Sequence, residues 1–222
     1  MRWVLLGAWL WAQVAEAGTI AGTVRAQGKD GTTPGAGGGK YDSRKFKFAD
    51  RVDYGQLRDF VVYIDQALAE KPVAPTTPVQ VVVQKDAQFS PRVLPVVVGT
   101  TVEWPNVDEI YHNAFSMSET KPFDLGLYKE NTKSITFDKA GRVDVFCSIH
   151  SSMHCVVLVL ENSYFAVTDA RGQFTIPNVP AGTYRVKVWH DRLPAQTREI
   201  TVPATGGVKA DFTLGITGLP QY

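Results

Sequence analysis

Four residues of this 222-residue chain have types and spacing that suit a single soft metal ion. From Val143 the sequence reads VDVFCSIHSSM, placing a thiol, an imidazole and a thioether at Cys147, His150 and Met153 with two residues between successive members. Such a mixed, soft ligand set on a short loop suits copper moving between its two oxidation states, and one further imidazole completes a His2Cys arrangement with an axial Met. His112, in WPNVDEIYHNAFS, supplies it from a loop after the Val96 to Trp104 strand. The expectation is one copper ion held by His112, Cys147, His150 and Met153, passing single electrons. Plainer readings stand beside it. Cys147 and Cys155 are the only cysteines and can pair as a disulfide in an oxidising compartment, and Met153 can be core filler. Met117 reads as a loop or core residue. His154 points away from the metal by strand alternation and takes a surface or interdomain place, while His190 reads as structural.

The elements that must position these residues are strands. Apolar residues alternate with period two at Val79, Val81 and Val83, at Ile135 and Phe137, at Val143, Val145 and Cys147, and at Tyr184, Val186 and Val188. Turn residues divide them at Gly99-Thr100, Lys139-Ala140-Gly141, Asp169 to Gly172 and Pro180 to Gly182. No window after the first residues carries a sustained helical pattern, and Gln66 to Glu70 offers one helical turn at most. The chain therefore reads as all-β. Gly28 to Gly39 and the polar Lys40 to Asp59 read as one long mobile loop, and the proline-rich Glu70 to Pro78 as an extended linker with a boundary near Pro75.

Residues 78–162 resemble a cupredoxin of the plastocyanin and amicyanin type. The likeness rests on VQVVVQKDAQFSPRVLPVVVGTTVEWPN as the first strands, His112-Asn113 as the upstream ligand pair and CSIHSSM as the ligand loop. It implies a Greek-key β-sandwich with a type 1 copper site in which Asn113 ties the two ligand loops together and tunes the potential. Copper oxidases and copper nitrite reductases need additional histidines, commonly beside the cysteine, where this chain has Phe146 and Ser148. An enzyme is therefore not expected.

The stretch FAVTDARGQFTIPNVPAGTYRVKVWHDRLPAQTREITVPATGGVKADFTL resembles a carboxypeptidase regulatory-like, or transthyretin-like, β-sandwich. The opening strands of such a module are missing there and are matched instead by TIAGTVRAQG and DFVVYIDQ. The resemblance thus implies a discontinuous domain, 18–70 plus 163–215, with the cupredoxin inserted in this smaller transthyretin-like or Ig-like sandwich. Its role is either partner binding and orientation of the copper domain, or that of a spacer.

Residues 1–17 combine Arg2, a short apolar run and Ala15-Glu16-Ala17, the pattern of a cleavable signal peptide cut after Ala17. The product is expected in the periplasm or outside the cell, with no membrane span. A net charge of +1, from 23 basic and 22 acidic residues, excludes nucleic acid as a main partner. The expected partners are redox proteins, a donor and an acceptor, docking on a small apolar surface that includes Ile149, Ser151 and Ser152. The competing function is a non-redox module that sequesters copper or serves adhesion in the cell envelope.

Overall fold

A computed structural model describes residues 17–28, 54–68 and 79–215. Residues 1–16 of the segment read as a signal peptide, most of the long loop and all of the Glu70 to Pro78 linker lie outside the described residues.

Two strands come first, β1 (Ala17–Gln27) and β2 (Val61–Ile64). Ten follow: β3 (Gln80–Val81), β4 (Val83–Lys85), β5 (Gln88–Ser90), β6 (Val93–Val97), β7 (Thr100–Pro105), β8 (Phe115–Ser116), β9 (Phe123–Asp124), β10 (Thr132–Phe137), β11 (Gly141–Phe146) and β12 (His154–Leu160). Six close the described chain: β13 (Phe165–Val167), β14 (Gln173–Pro180), β15 (Gly182–His190), β16 (Leu193–Val202), β17 (Gly207–Lys209) and β18 (Phe212–Gly215). The chain is all-β.

Hydrogen bonding sorts these strands into two bodies. The middle ten make a sheet ordered β10-β7-β3, a sheet ordered β6-β12-β11-β8-β9 and the β4-β5 hairpin. Between the two sheets lies a core of Val82, Trp104, Phe137, Val143, Val145 and Val157 with their neighbours. The last six strands bond to the first two. β1 runs between β14 and the pair β17 and β18, and β2 runs between β13 and β15. Ile20, Val24, Phe60, Val62 and Ile64 accordingly share one core with Phe174, Ile176, Val186 and Val188. Gly22 is required there, because a Cβ would sit 2.0 Å from the Ala210 carbonyl oxygen. Tyr54 and Leu57, at the end of the segment read as a long loop, pack onto this core, with Tyr54–Gln56 forming a turn of 3-10 helix.

Two apolar runs explain how the bodies meet. In β2 and β12 nearly every residue is buried, which for a period-two element means that both faces are covered. Val62 and Ile64 face their own core, whereas Val61 and Tyr63 meet Val93, Leu158 and Leu160 of the other body, with Phe165 and Trp189 alongside. Arg92 reaches across to Asp59 (3.2 Å) and Asp191 (2.7 Å), and Arg142 lies over Trp189 at 5.6 Å. Burying a leucine side chain contributes about 1.5–3 kcal/mol. Ion pairs of an arginine 37% exposed contribute about 0–1 kcal/mol. The apolar strip therefore holds the contact, and the ion pairs fix its alignment.

One alternation falls a residue out of step with the sequence reading. Val79 is exposed and Val81 and Val83 are half-buried, while Val82 and Gln84 are wholly buried. Gln84 is tolerated inside because its Nε2 donates to the Tyr128 hydroxyl and to the Trp104 carbonyl (3.4 Å).

His190 lies in the first core at 2% exposure, its ring 4.8 Å from Phe60 and its Nδ1 accepting the Arg192 N–H at 3.1 Å. Burial lowers its pKa below the ordinary 6.5 and Arg92 adds to this, outweighing Asp191, the Arg58 main chain and Asp59, which favour the proton. The unfolded chain then takes up this proton first as pH falls, so stability is lost from about pH 6.5 downward, with a slope of at most about 1.4 kcal/mol per pH unit. Chemical denaturation between pH 5 and 8 should show this slope in the native chain and a flatter curve for His190→Leu. Parallel curves would remove His190 as its source.

Candidate metal centre

Cys147 follows the last residue of β11, continuing the inward face of Val143 and Val145. β11 and β12 pair antiparallel, Phe146 opposite His154 and Val145 opposite Cys155, so residues 147–153 form the loop of this hairpin. The Met153 N–H donates to the His150 carbonyl at 3.0 Å and turns the chain back, sending the Met153 side chain fully into the core that also holds Cys147. His112 arrives from the other side. Its main chain exchanges two hydrogen bonds with Tyr128 (3.1 and 2.9 Å), and Asn106 shapes the preceding loop through its Nδ2, which donates to the carbonyls of Ile110 (2.9 Å) and Tyr128 (2.8 Å).

This brings the donor atoms of His112, Cys147 and His150 within 4.8 Å of one another. The two imidazoles face each other through Nδ1, 3.1 Å apart. His112 Nε2 lies 2.8 Å from Asp108 Oδ2. A carboxylate can only accept, so the proton of neutral His112 belongs on Nε2 and its Nδ1 presents a lone pair to His150. Two donors each about 2.0 Å from a shared ion can stand 3.1 Å apart. A buried thiol, the His112 Nδ1 lone pair, the His150 Nδ1 facing it and a buried thioether in the same core form a donor set that fits one copper ion.

Asn113 joins the two loops, its Oδ1 accepting from the Ser148 N–H (2.8 Å) and hydroxyl (3.0 Å) and its Nδ2 donating to Asp124 (3.3 Å). Cys147 and Cys155 are both buried and unlinked. Burial pushes the Cys155 thiol far up, so it packs as a small apolar group. Burial also pushes the Tyr128 phenol up to about 12, against the Gln84 hydrogen bond that favours ionisation. His154 is half-buried, stacks on Phe146 at 4.8 Å and bonds Asp144 at 2.9 Å, apart from the donor cluster. Met117 is 85% exposed, a loop residue and not a core one.

Ile149, Ser151 and Ser152 are exposed. The loop before His112 presents further apolar side chains, Val107, Ile110 and Tyr111, each about half exposed, that sequence reasoning did not single out. It also passed over Asp108, whose one signal was its place four residues before His112. The Asp108 carboxyl is held below the usual range. Burial opposes its ionisation, and hydrogen bonds from the Ala87 N–H, His112 and the Asp86 N–H overcome that.

The carboxypeptidase regulatory-like domain family matches residues 155–215. The match begins inside β12, earlier than the 163 read from the sequence, although among the described strands β12 pairs with β6 and β11 alone. No curated protein matches the chain. Among solved structures it is similar to a copper-containing nitrite reductase from Thermus scotoductus SA-01, with 30% identity over 43% of this chain and 25% of that one and a TM-score of 0.37. The chain thus spans about a quarter of that enzyme's length. It is also similar to a Cu(I) methionine-to-alanine mutant of amicyanin (26% identity, 45% of this chain, 98% of that one, TM-score 0.36). A purple cupredoxin from Nitrosopumilus maritimus is similar at 24% identity over 36% and 99% of the two chains, with a TM-score of 0.33. The chain is an all-β protein whose residues 155–215 match the carboxypeptidase regulatory-like domain family.

Proposed function

We propose that this protein is an exported, periplasmic single-electron carrier with one type 1 copper ion bound by His112, Cys147, His150 and Met153, and that it is not an enzyme. The observation that carries this reading is the convergence of the His112, Cys147 and His150 donor atoms within 4.8 Å at one end of a packed sandwich. Copper supplies a one-electron change between Cu(I) and Cu(II). The protein's part is to hold the donors still and dry. His112 is wholly buried and Cys147 nearly so, and Trp104 and Phe137 fill the core beneath. Rigid placement of this kind keeps reorganisation small when the charge on the metal changes. His150 is half-buried and lies next to exposed Ile149, giving a short route to a redox protein docked on Ile149, Ser151 and Ser152. The first 17 residues support export.

Voltammetry of the copper-loaded chain tests this reading. A reversible one-electron wave is expected, and Met153→Leu should raise the midpoint potential, since a weak donor that favours Cu(II) is lost. A site that binds copper but exchanges electrons slowly and irreversibly would favour the sequestering function. An unchanged potential in Met153→Leu would remove Met153 from the ligand set.

A further inference from the structure

Asp108 is held by more contacts than a loop carboxylate needs for solubility. Its Oδ1 accepts the Asp86 N–H at 2.8 Å, its Oδ2 accepts the Ala87 N–H at 3.0 Å and lies 2.8 Å from His112 Nε2, and its own N–H donates to Asn106 Oδ1 at 3.0 Å. Asp86 and Ala87 are the two loop residues of the β4-β5 hairpin, and both have left-handed φ, 54° and 51°. Such a two-residue turn ordinarily takes Asn or Gly. Non-glycine residues held there are an unfavourable local choice that the surroundings must compensate, and here both amides of the turn are spent on one carboxylate. The side chain of Asp108 is 14% exposed and that of His112 fully buried, so water weakens their interaction little.

We propose that Asp108, clamped by the Asp86-Ala87 turn, is a positioning residue that locks the His112 proton on Nε2 and lowers the reduction potential of the metal centre. This rests on the copper reading. A fixed negative charge one imidazole away from the metal stabilises the more positive oxidation state, and a hydrogen-bonded carboxylate makes the ring a stronger donor. On reduction one electron arrives from a one-electron redox protein, while Asp108 keeps its hydrogen bond to His112 Nε2.

The test is Asp108→Asn in the full, copper-loaded chain, read by potential and visible spectrum. The thiolate-to-copper band should persist while the ratio of Cu(II) to Cu(I) affinity falls about ten-fold, a rise of about 59 mV for a one-electron couple. An unmoved potential in a variant with the native band overturns the proposal. Should that variant fail to fold, the wild-type Cu(I) chain decides through the His112 Nε2–H signal in nitrogen-15 NMR. Slow exchange with solvent supports the clamp, and exchange as fast as that of a free imidazole overturns it. A wild-type chain without the band sinks the copper reading itself, whereas a wild-type band beside an unmoved Asp108→Asn potential sinks only this inference.

Discussion

Replacing Cys147 by Ser should abolish the thiolate-to-copper absorption outright, whereas Cys155→Ala should keep it, with a stability loss on the order of 1 kcal/mol. Both sulfurs are buried in the same core, so burial alone does not separate them. Their neighbours do. Cys147 shares its position with the facing nitrogens of His112 and His150, while Cys155 lies opposite Val145 in the β11-β12 ladder among valines. A hydroxyl in place of the thiolate offers copper a hard, weak donor and no sulfur charge transfer, and removing the Cys155 sulfur deletes only packing. Titration with Cu(II) followed by visible absorption checks both variants, and mass spectrometry of the native holoprotein should find the sulfurs unlinked. A stoichiometric Cys147–Cys155 disulfide in freshly isolated protein would favour the structural reading of these cysteines and remove the electron-carrier function.

The second large effect concerns the discontinuous sandwich. Residues 163–222 expressed alone should show no cooperative melting transition, and joining 18–70 to 163–222 through a short linker should restore one. Without β1 and β2, β14 and β18 lose the strand between them, β13 loses its partner and β15 is left paired on one side. The core also loses Ile20, Val24, Phe60, Val62 and Ile64. At about 1.5–3 kcal/mol for each large side chain, that loss rivals the whole 5–15 kcal/mol by which domains are ordinarily stable. A sharp melt of the isolated C-terminal fragment in circular dichroism would contradict a shared core.

What the sequence disclosed and what it hid follow from the range of the interactions involved. The loop CSIHSSM was legible because its chemistry is local: one strand end and one tight loop fix three candidate donors. The inward alternation of Val143, Val145 and Cys147 and of Tyr184, Val186 and Val188 was legible for the same reason. The run Val79 to Gln84 was misread by one position because valines occupy both parities and a glutamine counts as polar, although its Nε2 finds a partner across the core. Phe60 to Ile64 and Cys155 to Leu160 disclosed strands but not the contact between the two bodies. An uninterrupted apolar run is covered on both faces without saying by what. Asp108 was hidden because an aspartate in a loop is ordinarily solvated, and what sets it apart is a hairpin turn some twenty residues upstream that only the fold brings beside it.

One equivalent of Cu(II) added to the purified metal-free chain, followed by visible absorption, tests the metal assignment most directly. A His2Cys site with an axial Met should give an intense blue to green thiolate-to-copper band that saturates at one copper per chain and vanishes on one-electron reduction. A nearly colourless complex with only weak, ordinary Cu(II) absorption at the same stoichiometry would contradict it.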